Sequence, residues 1–470
     1  MKIIISLLTI TLSLCAHANQ PNFVFIMVDD LRPELGAFGN ETVISPNIDK
    51  LARQGTRFNN AYANIPVCGA SRASIMTGIR PTPARFVDYS AQAAIDMPNA
   101  TTLPAVLKQQ GYQTISYGKI FHHMMDKAEI SWSEKPWHPT EMLNPLAKYE
   151  FNFRDYQLPE NIKVLNNSTF GPSTEMANLP DNAYVDGRIA DKTVAKLAQL
   201  AKSDQPFFLA VGFVKPHLPF TAPKKYWDMY DPAQFSLAKQ QQLPIGAPQQ
   251  AYHQFGELRS YTDIPANPAE ISDEKARHLI HGYHASVSYA DAQVGKVLEQ
   301  LEKLNLTKNT IVVLLGDHGW SLGEHGLWCK HSTFDVATKT PLIIKSPFHK
   351  PNQQVNALVE FVDILPTITD LANVATPKQA AGESMESLLD NPELEGKSAV
   401  FPRWLKSEVI RTKQYSLTQW FDKKGKLTTQ MLYDHESDPL ESKNIANQPA
   451  YKPVLKDLSE QLKAHIANRK

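Results

Sequence analysis

Residues 23–30, FVFIMVDD, join six consecutive apolar residues to a pair of carboxylates. A continuous apolar run is typical of a strand that is buried on both faces, as in a parallel sheet covered by helices. Asp29 and Asp30 then follow the carboxyl end of this strand, where open α/β sheets place their ligands. The stretch therefore predicts both an α/β fold and the position of a functional site.

Further segments extend this pattern along the chain. Continuous apolar runs recur at residues 114–117, 207–213, 310–315 and 342–344. Residues 45–55 have the N-cap, first-turn proline and C-terminal glycine of a short helix. Apolar residues at three- and four-residue spacing predict a long helix within 272–304. Strands that alternate with helices predict a layered α/β domain.

Composition limits the classes of function. The 470 residues are 42% hydrophobic and 20% charged, as in a folded protein. Lys plus Arg and Asp plus Glu both number 48, so a nucleic-acid binder that relies on excess positive charge is excluded. We predict a signal peptide at 1–18, a catalytic domain at 19–375 and a smaller C-terminal α+β subdomain at 376–470.

The amino-terminal segment predicts export. Lys2 precedes the apolar run IIISLLTITLSL, and residues 16–18, AHA, supply a cleavage site. The run is shorter than the ~20 residues that a membrane-spanning helix needs. Cys15 raises lipid attachment as an alternative, but Leu14 is bulkier than the residue that lipoprotein processing favours. We therefore expect a periplasmic or secreted protein without a stable membrane anchor.

A second strand predicts a metal site. Residues 311–315 are apolar and are followed by Gly316-Asp317-His318-Gly319. If this strand lies beside the first, three carboxylates meet and repel one another by roughly 4 kcal/mol per close pair at an effective dielectric of about 20. Oxygen-rich ligands with one His favour Ca²⁺, or Mg²⁺ as the alternative, over zinc. The competing interpretation is that each Asp caps a loop or a helix.

Residues 66–78, PVCGASRASIMTG, predict a turn into a helix that ends at Gly78 and begins near Cys68. The free N–H groups of a helix N-terminus favour an anion. The pattern C-x-A-S-R followed by T-G, after a V-D-D strand, resembles the maturation signature of the type I sulfatases, a branch of the alkaline-phosphatase-like superfamily. In that family a dedicated maturation enzyme oxidises the cysteine to Cα-formylglycine. Ala70 departs from the commoner form, which has Pro there.

The resemblance covers nearly the whole mature chain and is closest to the iduronate-2-sulfatase-like group. Matching blocks occur in order at SPNID (45–49), GKIFH (118–122), GFVKPH (212–217), GDHGWSLGEHG (316–326), Lys330 with FDVAT (334–338), FVDILPT (361–367) and LYD (432–434). The resemblance implies an alkaline-phosphatase-like fold, in which a large mixed, mostly parallel sheet lies between helices. Several ordered blocks at compatible spacing are much harder to meet by chance than one short motif.

A sulfate ester is an anion that resists nucleophiles, so its site needs a metal, fixed cations and a nucleophile stronger than water. The matched blocks contain three lysines and two histidines of suitable chemistry, namely Lys119, Lys215, Lys330, His122 and His217. Histidines titrate near neutrality and can move protons. Singly, each lysine can also be a solvated surface group and each histidine a structural one.

The resemblance assigns a role to each residue. It implies that Asp29, Asp30, Asp317 and His318 hold Ca²⁺ with an oxygen of modified Cys68, although the family more often has Asn at the fourth place. The hydrated formylglycine attacks sulfur, with Asp317 assisting its deprotonation. Arg72 and Lys119 fix the modified residue. Sulfate oxygens are bound by Lys330 together with either Lys215 or His217. His217 also protonates the leaving oxygen, and His122 takes the proton whose removal releases the sulfate.

Two questions stay open at this level. Cys329 is either a buried packing residue beside Lys330 or the disulfide partner of Cys68, which would remove the nucleophile. Aromatic and basic residues outside the matched blocks either line a sugar subsite or pack within loops: His123, Trp132, Trp137, His138 and Trp328.

We therefore predict a sulfatase that acts on a sulfated polysaccharide or oligosaccharide, with a 2-O-sulfated uronic acid as one candidate. One alternative is a phosphatase or phosphodiesterase of the same superfamily, but such enzymes usually use Ser or Thr and two zinc ions. Another alternative is an unmodified glycan-binding protein that retains the pocket. The state of the Cys68 side chain discriminates between these functions.

Overall fold

The computed structural model describes residues 20–139, 154–267 and 270–469. The predicted signal peptide and Cys15 lie outside the described residues. The strands are β1 (Asn22–Val28), β2 (Thr56–Tyr62), β3 (Gln113–Gly118), β4 (Thr174–Ala177), β5 (Phe207–Phe213), β6 (Phe220–Pro223), β7 (Thr310–Gly316), β8 (Ser321–Leu322), β9 (Trp328–Cys329), β10 (Leu342–Lys345), β11 (Gln353–Glu360), β12 (Arg403–Trp404), β13 (Ser407–Arg411), β14 (Tyr415–Phe421) and β15 (Leu427–Asp434).

The helices lie mainly between these strands. They are α1 (Pro46–Gln54), α2 (Cys68–Thr77), α3 (Ala93–Asp96), α4 (Leu103–Gln109), α5 (Ala128–Ser131), α6 (Pro159–Asn167), α7 (Val185–Leu200), α8 (Lys224–Trp227), α9 (Gly256–Arg259), α10 (Asp273–Lys303), α11 (Asp335–Thr338), α12 (Ile364–Leu371), α13 (Glu386–Asp390) and α14 (Lys452–Asn468). The long α10 begins as its sequence predicts, because Ser272 is its N-cap and accepts a hydrogen bond from the Lys275 N–H.

The central sheet has seven strands in the order β11-β2-β10-β7-β1-β5-β3. Strands β7, β1, β5 and β3 are parallel neighbours, whereas β10 runs antiparallel to both β7 and β2. The sheet is therefore mixed and mostly parallel, as expected. Because four adjacent strands point the same way, the residues after their carboxyl ends meet at one edge.

Helices cover both faces of this sheet. Along β1, Val24 and Ile26 belong to one hydrophobic core, whereas Phe23, Phe25 and Met27 belong to the other. Successive side chains of a strand point to opposite faces, so both faces are packed. This explains why the strand sequence is continuously apolar instead of alternating, and it confirms the prediction of a covered sheet.

A second sheet, β12-β13-β14-β15, is antiparallel and packs against the last helix, α14. Ile410, Leu417 and Leu432 of this sheet share a core with Leu458 and Leu462 of the helix. The smaller C-terminal α+β part is thus present, and its four strands lie between Arg403 and Asp434. Among the described residues, no helix has both the length and the apolar character needed to cross a bilayer.

Candidate active site

Four neighbouring strands of the central sheet bring the predicted residues together. The site residues follow the carboxyl ends of these strands: Asp29 and Asp30 after β1, Asp317 and His318 after β7, Lys119 after β3, and Lys215 and His217 after β5. All of these side chains are buried. The two acidic strand ends are therefore neighbours, and their aspartates lie in one cluster instead of capping separate loops.

Arg72 of helix α2 forms hydrogen bonds with several parts of the cluster. Its Nε donates to Oδ2 of Asp317 at 2.8 Å, and its Nη2 donates to Oδ1 of Asp29 at 3.1 Å. The same guanidinium donates to the backbone carbonyls of Lys119 and Ile120. One planar donor group thus links α2 to β1, to β7 and to the segment after β3.

Lys119 is directed into the site by a close approach of two strands. A Cβ at Gly212 would collide with the backbone of Lys119, and the Lys119 N–H donates to the Gly212 carbonyl at 2.9 Å. The Lys119 ammonium pairs with Oδ2 of Asp29. Burial favours the neutral acid, but Lys119 and Arg72 outweigh it and hold the pKa of Asp29 well below its usual range.

Cys68 is the first residue of α2, as the sequence predicts, and only 3% of it is exposed. Its Sγ lies 3.2 Å from Nε2 of His318 and 3.8 Å from Oδ1 of Asp30. Burial and the Asp29 carboxylate raise the pKa of the Cys68 thiol well above its usual range. An unmodified Cys68 is therefore a neutral thiol and a poor nucleophile.

Cys329 is buried too, and both Cys68 and Cys329 are free thiols. The structure thus contradicts a Cys68–Cys329 disulfide and agrees with the packing interpretation of Cys329. Cys329 has a left-handed backbone (φ 71°), as does His331 (φ 76°), so the residue between them, Lys330, is presented by an unusual backbone path.

Lys330 pairs with two carboxylates. Its Nζ lies 3.0 and 3.1 Å from the two oxygens of Asp30 and 3.0 Å from Oε1 of Glu257. Burial raises the pKa of Asp30 well above its usual range; the Lys330 charge opposes this shift and the Asp29 carboxylate adds to it. Glu257 lies on the four-residue helix α9, within a long irregular segment, and no pattern in the sequence pointed to it.

His217 faces the same group of charges. Its Nδ1 lies 2.5 Å from the Leu218 carbonyl, which can only accept, so Nδ1 carries the proton. Its Nε2 lies 3.2 Å from Oε1 of Glu257 and 3.9 Å from Oδ2 of Asp30. Burial and the Lys330 charge hold the pKa of His217 well below its usual range. The imidazole is therefore neutral and has Nε2 directed at the site.

The Lys215 ammonium is engaged by its own loop. Its Nζ donates to the carbonyls of His217 at 2.8 Å and Pro219 at 2.5 Å. Its backbone N–H donates to Asp186, which lies in the first turn of α7. Burial lowers the pKa of Lys215 to about 8 and raises that of Asp186 to about 7. These contacts make Lys215 a support of the His217 loop, and direct contact with a sulfate oxygen would require some of them to break.

His122 is half-buried and lies within range of the charges of Lys119 and Asp29. Burial and the Lys119 charge hold the pKa of His122 well below its usual range. Its ring centroid lies 6.4 Å from that of Tyr89, an aromatic side chain that is 65% exposed. Among the described residues, its buried Nδ1 has no hydrogen-bond partner. His122 is thus a neutral ring with an unused nitrogen beside an exposed aromatic side chain.

The aromatic residues proposed from sequence for a sugar subsite mostly pack in the interior. Trp132, His138 and Trp328 are buried, and Trp132 stacks on Phe208 of β5. Trp137 packs edge-on against Tyr117 of β3. The loop-packing interpretation therefore holds for these residues.

The donor set fits a hard divalent cation. Ligand atoms of Asp29, Cys68, Asp317 and His318 lie within 4.8 Å of one another, and those of Asp30, Cys68 and His217 form a second such group. Buried carboxylates at this density repel one another, which contributes to the raised pKa of Asp30. A divalent cation would relieve this repulsion, and carboxylate oxygens with one imidazole are ligands suited to such an ion.

Comparisons with known proteins agree with this geometry. The family model described as Sulfatase matches residues 21–374, and a model described as N-sulphoglucosamine sulphohydrolase, C-terminal, matches residues 323–468. Iduronate 2-sulfatase from Mus musculus is 32% identical, over 93% of this chain and 93% of its own length. The Homo sapiens protein of the same name is 35% identical, over 76% of this chain and 70% of its own length.

A solved structure supports the fold. The phosphonate monoester hydrolase of Agrobacterium radiobacter superimposes with a TM-score of 0.78 and 21% sequence identity, covering 96% of both chains.

Proposed function

The chain belongs to the sulfatase family and is a sulfuric ester hydrolase, and we propose that it removes sulfate from a carbohydrate by means of a Cα-formylglycine made from Cys68 and a bound Ca²⁺. One observation carries this proposal. The side chain at the start of α2 points into a cluster that contains three aspartates, His318 and two lysines. A sulfate ester needs both the negative ligands, for a metal, and the positive groups, for its own charge.

The state of Cys68 supports a modified nucleophile. Burial and Asp29 disfavour the thiolate, so this position is not arranged for thiolate chemistry. The same side chain lies within 3.8 Å of Oδ1 of Asp30 and 3.2 Å of His318. An oxygen-bearing side chain at this place would join the metal ligands, whereas a neutral thiol contributes little.

The ligands proposed for Ca²⁺ are Asp29, Asp30, Asp317, His318 and an oxygen of modified Cys68. When present, Ca²⁺ supplies positive charge beside the sulfate, and the hydrated aldehyde supplies the nucleophilic hydroxyl. Arg72 and Lys119 hold the acidic residues at the positions that this chemistry requires. The Arg72 contacts hold both Asp29 and Asp317 in fixed positions relative to α2.

The neighbouring lysine and histidine side chains bind the substrate and transfer protons. Lys330 binds a sulfate oxygen, because its ammonium lies between buried Asp30 and the partly exposed Glu257. His217 protonates the leaving sugar oxygen from Nε2, since its Nδ1 is held by the Leu218 carbonyl. The negative charge of the bound ester favours the protonated imidazole that this step requires. His122, with an unused nitrogen, accepts the proton that accompanies sulfate release.

The substrate class follows from the relatives. The curated relatives named iduronate 2-sulfatase cover most of the chain, which favours a sulfated uronic acid or a related sugar of an acidic polysaccharide or oligosaccharide. We also propose that the protein is exported to the periplasm or secreted, and that a formylglycine-generating enzyme is its maturation partner. An exported sulfatase meets polymeric glycans directly.

The decisive experiment measures the mass of the Cys68 peptide together with sulfate release. Protein produced with a formylglycine-generating enzyme should contain the aldehyde at Cys68 and release inorganic sulfate from at least one defined sulfated oligosaccharide. Cys68→Ala should be inactive on the same panel. Cys329→Ala, which removes the other thiol of the described residues, is the matched control and should stay active.

Two results would contradict the proposal. One is an active preparation in which Cys68 is an unmodified thiol. The other is a preparation that contains the aldehyde and hydrolyses phosphate esters but no sulfate ester on the panel, which would favour the phosphatase alternative.

A further inference from the structure

Glu257 brings a negative charge to the mouth of the site that the proposed mechanism does not use. Its Oε1 lies 3.0 Å from Nζ of Lys330 and 3.2 Å from Nε2 of His217. These two nitrogens are the ones assigned to the substrate, Lys330 for a sulfate oxygen and His217 for the leaving oxygen. A sulfate ester bound by Lys330 and His217 would therefore lie next to the Glu257 carboxylate.

The exposure of the two carboxylates defines which side of Lys330 each occupies. The Asp30 side chain is fully buried, whereas the Glu257 side chain is 21% exposed. Asp30 thus lies on the interior side of the ammonium and Glu257 on the solvent side. An anion that enters from solvent meets the charge of Glu257 as it approaches Lys330.

We propose that Glu257 is a specificity residue that selects by charge, admitting a sulfate monoester with one negative charge and disfavouring groups with two. This inference rests on the proposed function, because it takes Lys330 and His217 as the sulfate-binding groups. Repulsion from a fixed carboxylate doubles when the charge of the anion doubles. Discrimination by repulsion is a common source of specificity.

Two consequences follow for ligands of the same shape. A phosphate monoester, which is mainly a dianion at mildly alkaline pH, is disfavoured relative to a sulfate monoester. Inorganic sulfate, the dianionic product, is also disfavoured relative to the monoanionic substrate, so Glu257 promotes product release. The selection acts on charge alone, since all these groups are tetrahedral with similar size.

The test compares two small anions that differ by one charge. Sulfamate has three oxygens on sulfur and one negative charge, whereas inorganic sulfate has two. Isothermal titration calorimetry on the full-length, matured protein gives the dissociation constant of each anion for wild type and for Glu257→Gln. We expect the substitution to shift the ratio of the two constants about tenfold in favour of inorganic sulfate.

Two further variants make the result specific. Glu274→Gln removes the same charge from the exposed first turn of α10 and should leave the ratio unchanged. Glu257→Asp keeps the charge and should keep the wild-type ratio. If Glu257→Gln is poorly folded by circular dichroism, Glu257→Ala removes the same charge and should shift the ratio of the two constants in the same direction.

The outcomes separate this inference from the proposed function. If wild type releases sulfate from an ester but Glu257→Gln leaves the ratio of constants unchanged, charge selection by Glu257 is wrong and the sulfatase assignment stands. If Glu257→Asp changes the ratio as much as Glu257→Gln, side-chain geometry and not charge is decisive, which also overturns the inference. If wild type binds neither anion and releases no sulfate, the proposed function fails with it.

Discussion

Nε of Arg72 donates to Oδ2 of Asp317 at 2.8 Å, although 245 residues separate them in the chain. Both side chains are fully buried. The same guanidinium reaches Asp29, so one side chain joins the carboxyl ends of β1 and β7 to the helix that carries Cys68. The positions of the proposed nucleophile and of two proposed metal ligands therefore depend on one planar group.

Arg72→Lys should lower both the stability and the activity of the protein even though it preserves the charge. A lysine ammonium is a point charge and cannot reproduce two differently directed N–H donors, so one buried carboxylate loses its partner. Breaking a buried pair of this kind costs about 3–5 kcal/mol. We expect the free energy of unfolding in urea to fall by that amount and sulfate release to fall at least 100-fold, since about 2.7 kcal/mol corresponds to that factor.

The control for this prediction is Arg53→Lys, on the exposed surface of α1. It makes the same chemical change without a buried partner and should alter neither quantity measurably. Retention of wild-type stability in Arg72→Lys would show that the bridge between β1, β7 and α2 is not a structural requirement.

Removal of the metal should destabilise the protein. Without a cation, Asp30 and the neighbouring carboxylates repel one another, and burial prevents water from screening them. Ca²⁺ at about 100 times its dissociation constant should stabilise the fold by about 2.7 kcal/mol. We expect a chelator to lower the Tm and added Ca²⁺ to restore it.

Asp30→Asn provides the matched variant for the metal. Asn tolerates the left-handed backbone of this position (φ 60°), so the substitution removes charge without adding backbone strain. The response of the Tm to Ca²⁺ should shrink or vanish in this variant. An equal Ca²⁺ response in wild type and Asp30→Asn would place the cation elsewhere.

Acid should loosen the C-terminal helix. The His465 ring of α14 stacks on Phe401, with centroids 3.7 Å apart and planes 6° apart. Burial lowers the pKa of His465 from 6.5 to about 4. Because the folded state disfavours the proton, this residue contributes stability above pH 6.5, which is lost as the pH falls toward about 4.

His465→Gln tests this contribution because glutamine does not titrate. Urea unfolding is measured above pH 6.5 and again between pH 6.5 and about 4. The difference gives the acid-induced decrease in the free energy of unfolding for each protein. We expect the loss to be smaller in His465→Gln than in wild type. Identical losses would assign the acid sensitivity to other groups.

The sequence was sufficient to predict the strands whose carboxyl ends lead into the site residues. Strands β1, β5 and β7 are continuous apolar runs because both faces of the sheet are covered, and that pattern is visible without a structure. Strand β2, TRFNNAY, was missed because four of its seven residues are polar, and β15 was missed because its first residues are exposed. Edge and partly exposed strands carry a weaker hydrophobic signal than central ones.

The residue types of the site were also visible, but their contacts were not. Matched blocks supplied Asp29, Cys68 and Lys330, which the structure brings together. Glu257 escaped notice because a four-residue helix in an irregular segment has no periodicity. The partners of Lys215 depend on the path of its loop, which the residue type does not reveal.

Two lysines that look equivalent in sequence should respond differently to substitution. Lys215→Met should lower the Tm, because the carbonyls of His217 and Pro219 lose their donor at about 1–3 kcal/mol for each unpaired group. It should lower kcat as the His217 loop shifts, with KM changed little. Lys330→Gln should instead raise KM about 10- to 100-fold, because a charged hydrogen bond to sulfate is worth about 1.5–3 kcal/mol.

Steady-state kinetics on one sulfated oligosaccharide, with thermal melts of the same samples, decide between the two roles. Lys330→Gln also removes the partner of Asp30, so both variants can lower the Tm. The division of the effect between kcat and KM therefore separates a support, which affects kcat, from a ligand contact, which affects KM. If Lys215→Met raises KM as much as Lys330→Gln and leaves the Tm unchanged, Lys215 releases its carbonyl partners in the complex and binds sulfate directly. The contacts of its ammonium with the His217 loop would then describe only the substrate-free enzyme.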